Sequence, residues 1–142
     1  MISSLQSVQN TAARIITLTK KFDHITPVLI QLHWLPVHFR ILFKVLLLVY
    51  KALNGMAPLH ITELLSYRTC SCTLRSTDQK LLKSRLKTYG DRAFSIAAPK
   101  LWNELPLDLR CLDTINLFKE HLKTDLFKNA FKGTQSAGAH AH

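Results

Sequence analysis

Nine carboxylates, Asp23, Glu63, Asp78, Asp91, Glu104, Asp108, Asp113, Glu120 and Asp125, are spread along the chain with no two adjacent. Two-metal nucleotidyl transfer needs acids close enough to share Mg²⁺, and this spacing supplies no such pair. Most of these acids fall at expected helix caps or solvent faces. Cys70 and Cys72 have a single residue between them, whereas paired zinc cysteines are usually separated by about two to four and come with a second pair. Only Cys111 remains, 39 positions on, and His60 or His121 would complete a set of four only by an accident of folding. Ordinary free thiols are the expectation. No local Ser-His or Cys-His signature is present, and Gly55, Gly90, Gly133 and Gly138 stand too far apart to form a phosphate-cradling loop. The sequence thus predicts no catalytic residue, no metal ligand and no cofactor, so that the chain is not an enzyme on its own.

Charge points elsewhere. Nineteen Lys and Arg face nine Asp and Glu, a net charge of +10 over 142 residues, which favours contact with phosphates. Arg68, Arg75, Lys80, Lys83, Arg85, Lys87 and Arg92, set against Asp78 and Asp91, supply five of those ten charges, and Tyr67, Tyr89 and Phe94 interleave with them. Cations and aromatics in a connecting segment are the usual means of tracking a nucleic-acid backbone, so these seven residues are the candidate binding site and RNA or DNA the expected partner. Lys83, Arg85 and Lys87 alternate and would line one side of an extended stretch. The plain alternative is a solvated loop. Trp34, Phe39, Phe43, Tyr50 and Trp102 lie within apolar runs and are expected in the core rather than on a stacking surface.

The elements that must position this segment read as helices. Ser3 and Gln6 have the spacing of a capping box, and Leu5, Val8, Ala12, Ile15 and Ile16 recur at helical intervals to about Leu18. Thr26-Pro27 opens a short helix that Pro36 ends. From Val37 to Leu53 the chain is apolar almost all round, with Arg40, Lys44 and Lys51 on one narrow side and Asn54-Gly55 as the stop, which predicts a central buried helix. Pro58 opens another short helix. Residues 66–91 lose periodicity and form a long basic connection, with one short hairpin as the exception within Leu81 to Phe94. A helical segment over Ala93 to Leu105 is interrupted or restarted at Pro99. Asp113 caps a last helix with the stripe Ile115, Phe118, Leu122, Leu126, Ala130 and Phe131, ended by Gly133. The expected fold is all-α, a small irregular bundle of five or six helices forming one domain over 1–132, with a disordered tail at 133–142.

A hydrophobic content of 47% suffices for an ordinary core. The most apolar stretch, Val45 to Tyr50, is closed by lysines after six residues, far short of the roughly 20 that a spanning helix needs. With no secretory pattern at Met1-Ile2-Ser3-Ser4 and an odd number of cysteines, an intracellular protein without membrane attachment is expected.

Several short motifs occur in order: Leu5-Gln6-Ser7-Val8-Gln9-Asn10 with Ala12-Ala13-Arg14, His24-Ile25-Thr26-Pro27-Val28-Leu29, Leu32-His33-Trp34-Leu35-Pro36-Val37, and Tyr50-Lys51-Ala52-Leu53-Asn54-Gly55. Leu74-Arg75-Ser76, Gly90-Asp91-Arg92-Ala93-Phe94, Ala97-Ala98-Pro99-Lys100-Leu101-Trp102-Asn103 and Leu105-Pro106 continue the series, and Phe118-Lys119 with Leu122-Lys123-Thr124 closes it. Over about Leu5 to Lys132 this resembles the C-terminal region of reverse transcriptases encoded by LINE-type non-LTR retrotransposons. Cys70 and Cys72 stand where the family pattern has Pro and Arg, and a few residues are missing before Ser84. The resemblance implies the helical thumb and post-thumb part of an RNA-directed DNA polymerase, lying near template and primer. The palm and the endonuclease belong to regions upstream, so no catalytic residue is carried over, and a retained or decayed fragment is implied. Its expected activity is sequence-independent RNA or DNA binding. The rivals are a helical module for self-association or partner binding through apolar surface, and a reading frame without selected function.

Overall fold

The computed structural model describes residues 1–68, 79–83 and 93–134. Of the tail expected at 133–142, residues 133 and 134 are helical and 135–142 lie outside the described residues, as does most of the basic connection. Helices run in the order α1 (Ile2–Thr17), α2 (Ile25–Gln31), α3 (Val37–Leu53), α4 (Leu59–Thr62), α5 (Phe94–Glu104), α6 (Leu107–Arg110) and α7 (Ile115–Ala130). The fold is all-α. Among the described residues there are more helices than the five or six expected, in part because the single-turn α6 after Pro106 has no periodicity to betray it. Contacts within the stretch read as one domain gather into two compact units, one of Met1–Phe43 with Lys123–His142 and the other of Lys44–Leu122.

In the first unit α1 has no capping box. Its N-cap is Met1, without a side-chain hydrogen bond, and the Gln6 amide is engaged elsewhere. Gln6 Nε2 donates to Gln9 Oε1 and Asn10 Oδ1, and its Oε1 accepts the Val37 amide at 2.8 Å. Gln9, buried, donates to the Leu35 carbonyl at 2.8 Å. These amides fix the backbone ahead of α3 to α1, so the helix spends its polar residues on an inward face. Ala13 completes that face and packs with Val28, Leu29 and Phe131 in a small core. The periodic stripe of Leu5, Val8, Ile15 and Ile16 is exposed instead.

Two stops in this unit have no glycine. Leu18 (φ 55) ends α1 and His33 (φ 53) follows α2, both in the left-handed region. Around them Thr19 N–H reaches the Arg14 carbonyl and Trp34 N–H the Leu29 carbonyl, the six-to-one bond of a Schellman ending. α2 thus ends at Gln31, short of Pro36, and Pro36 instead precedes α3. Gly55 (φ 70) closes α3 in the same way, with Met56 N–H on the Lys51 carbonyl.

In the second unit α3 buries Leu46, Val49, Tyr50 and Ala52, a stripe rather than the whole circumference expected. α5 runs through Pro99 without interruption: the ring is fully buried, and that packing offsets the backbone bond a proline cannot donate. Phe118 and Leu122 on α7 are fully buried, and Thr114 rather than Asp113 offers the carbonyl of the first α7 hydrogen bond. Past Ala130 the chain turns once at Phe131 and is helical again over 132–134, so Gly133 does not stop it.

Tyr50 is 1% exposed and its hydroxyl donates to the Leu112 carbonyl at 2.9 Å. Burial, and secondarily the Asp113 carboxylate, push the phenol above its ordinary value of 10.0. A group whose folded value is raised lends stability that is complete below the unfolded value and lost as pH climbs through the folded one. Unfolding midpoints measured from about pH 8 to pH 11 should fall only above about pH 10, and Tyr50→Phe should make that fall shallower. A variant that falls as steeply as the parent would assign the alkaline loss to other groups.

Candidate nucleic-acid interface

The sequence placed seven cations in the basic connection, and three of them, Arg68, Lys80 and Lys83, lie among the described residues; Arg75, Arg85, Lys87 and Arg92 lie outside them. Arg68 and Lys83 belong to a short extended pairing, and Lys80 stands just before it. Tyr67 stands opposite Leu82 in an antiparallel bridge, flanked by Arg68 N–H to the Leu81 carbonyl and Lys83 N–H to the Ser66 carbonyl, each 2.8 Å. This isolated bridge joins the residues after α4 to Leu82; the short hairpin expected within Leu81 to Phe94 falls mostly on residues 84–92, which lie outside the described residues. The alternative of Lys83 lining one side with Arg85 and Lys87 falls partly outside the described residues.

Side chains alternate across such a pair. Leu82, 1% exposed, faces inward, and Arg68 and Lys83 leave on the opposite face as exposed diagonal neighbours, spaced about 7–8 Å. Lys80 is exposed as well and takes a left-handed backbone (φ 47) just before the pairing.

What holds this strip is a set of side chains on α5 and α6. Asn103 accepts the Leu82 amide on Oδ1 at 2.8 Å and donates Nδ2 to the Leu82 carbonyl at 2.9 Å, so that one amide matches both polar groups of a buried residue. Trp102 Nε1 donates to the Lys80 carbonyl at 2.9 Å. Arg110, 8% exposed, donates Nη1 to the Gln79 carbonyl at 2.6 Å, while its buried Nε has no partner among the described residues. Residues 79–82 are therefore gripped by backbone-directed bonds that leave the cationic side chains outside. Asn103 and Arg110 are the positions that sequence reasoning missed. The available signal for Asn103 was a polar residue directly after a tryptophan expected in the core.

Of the aromatics weighed as core or stacking surface, Tyr50 and Trp102 are buried, and Trp34, Phe39 and Phe43 are half-buried. The Arg40 guanidinium lies 5.7 Å from the Trp34 ring centroid. Tyr67, paired with Leu82 in the bridge, is 46% exposed, and partial burial pushes its phenol above the usual range. Cys111 is a free, exposed thiol; Cys70 and Cys72 lie outside the described residues. No group of three His, Cys, Asp or Glu able to hold a metal occurs among the described residues, and no helix among them is long and apolar enough to cross a membrane.

The chain was also compared with known protein families, curated proteins and solved structures. Nothing matches. The reading of function accordingly rests on the residues, the charge and the anchored basic strip.

Proposed function

We propose that the chain is a catalytically inert module that binds RNA or DNA without reading sequence, derived from the C-terminal region of a retrotransposon RNA-directed DNA polymerase. The observation that carries it is the basic strip: Arg68, Lys80 and Lys83 stand exposed on a backbone pinned from inside by Trp102, Asn103 and Arg110. A merely solvated loop has no need of three buried or half-buried donors. A pinned strip offers phosphates a fixed row of cations, whose binding releases counterions and sacrifices little chain entropy. Contacts of this kind position a protein without discriminating among bases.

The test is the salt dependence of affinity. The triple variant Arg68→Ala, Lys80→Ala, Lys83→Ala should lower the slope of log affinity against log salt by roughly two to three on duplex DNA, and a little less on single strands, with unchanged helicity. Equal slopes for parent and variant would remove the strip from any binding role.

A second reading, self-association, is favoured by one observation. Along α1, Leu5, Val8, Ile15 and Ile16 form an exposed apolar stripe, joined by Leu18 and Phe22 at 91% and 93% exposure. Sedimentation that shifts with protein concentration would support it.

A further inference from the structure

In the first unit a groove of about 380 Å³ is lined by His33, Lys123, Thr124, Phe127 and Lys128. We infer that this groove takes one base of a single-stranded nucleic acid, with the base against the His33 and Phe127 rings and its flanking phosphates against Lys123 and Lys128. The inference rests on the nucleic-acid reading above and adds to it a second contact, of different chemistry from the basic strip.

Three observations converge on that occupant. The His33 and Phe127 rings stand 5.8 Å apart at 40°, and Phe131 packs edge-on to Phe127 at 4.8 Å and 62°, so the phenyl ring is held from behind while it lines the groove. A fixed ring presenting a π face is what base stacking requires, and it is indifferent to which base arrives. The edges carry cations: Lys123 and Lys128, both exposed, line the groove with Phe127, while Asp125 is half-buried and accepts a hydrogen bond from Asn129. The groove thus joins an apolar floor to positive edges, the complement of a nucleotide, with a volume in the range of about 300–1,000 Å³ typical of small-ligand sites.

The third observation is the backbone at His33. A left-handed ending after α2 would be served at lower cost by glycine or asparagine. With histidine at φ 53 the turn carries an exposed imidazole to Phe127. Leu18 ends α1 in the same region without lining this groove, so what bears on it is that the turn at residue 33 brings an imidazole to Phe127.

The experiment compares binding of an oligothymidylate of about 15 nucleotides with that of an abasic strand of equal length, by fluorescence anisotropy at fixed salt. Both present the same phosphates, so only stacking separates them. The full chain should bind the base-bearing strand about five- to a hundred-fold more tightly. Phe127→Leu, which keeps apolar volume but removes the ring face, and His33→Gly, which relaxes the backbone, should each bring the two affinities together while helicity is retained. Preference for bases that persists in both variants would overturn the inference, as would equal affinity of the parent for the two strands. Equal affinity leaves the phosphate-binding reading standing; absence of binding to either strand removes that reading and this one together.

Discussion

Replacing Phe118 by alanine is expected to lower the stability of the chain by about 3–5 kcal/mol, a large part of the roughly 5–15 kcal/mol that holds a typical domain folded. Phe118 is 0% exposed, and its ring stacks on Tyr50 with centroids 4.3 Å apart at 18°, with Trp102 at 5.9 Å on a tilted approach. Three aromatics from α3, α5 and α7 therefore meet at one side chain. Truncation removes the transfer free energy of a phenyl group and opens a cavity that two rigid rings cannot collapse to fill. It also strips the packing around the Tyr50 hydroxyl, whose bond to the Leu112 carbonyl then opens to water. Leu117→Ala is the matched control. Leu117 is 46% exposed on the same helix, and its loss should cost no more than about 0.5 kcal/mol. Denaturant titrations of the two variants, at unchanged dependence on denaturant, measure both numbers. A Phe118→Ala chain as stable as Leu117→Ala would show that the aromatic cluster is not the core of the second unit.

That cluster also shows what the sequence could tell. Phe118 and Leu122 were readable as core because α7 repeats apolar residues at helical spacing, and α3 was readable to its last residue because an apolar run begins at Val37 and Asn54-Gly55 stops it. The periodic stripe of α1 misled for a physical reason. Gln6 and Gln9 satisfy backbone groups at Leu35 and Val37, and such long-range polar partners leave no trace in a hydrophobic pattern. Leu18 and His33 were invisible as stops, since a left-handed ending is inferred from glycine and neither residue is one. Pro99 looks like a break in sequence because its local cost is certain, while the burial that offsets it depends on contacts from elsewhere in the chain. At the candidate interface the cations were legible as charge. Their anchoring was not, because Asn103 meets Leu82 across 21 residues and Arg110 meets Gln79 across 31.

Asn103→Ala is the second large effect and joins stability to function. The amide makes two hydrogen bonds to Leu82, at 2.8 and 2.9 Å, and alanine makes neither. Each such bond contributes about 0.5–1.5 kcal/mol net, and a buried N–H or C=O left without a partner costs about 1–3 kcal/mol. The expected loss is thus about 2–3 kcal/mol, concentrated on the strip rather than on the aromatic core. Amide hydrogen exchange locates it: the Leu82 and Lys83 amides should lose protection by about two orders of magnitude, while the amide of Phe118, bonded to Thr114 inside the second unit, should keep most of its own. Unchanged protection at Leu82 would show that the bridge to Tyr67 holds the strip unaided. Affinity for nucleic acid should fall with that protection even though Arg68, Lys80 and Lys83 are all still present, because cations on a loosened segment must be ordered again on binding. The salt slope should stay near that of the parent, since the number of phosphates met is the same. A weakened affinity at constant slope is therefore the signature of pinning, distinct from the reduced slope expected when the cations themselves are removed. Were affinity to hold while protection at Leu82 is lost, the grip of Asn103 on the strip would serve folding alone.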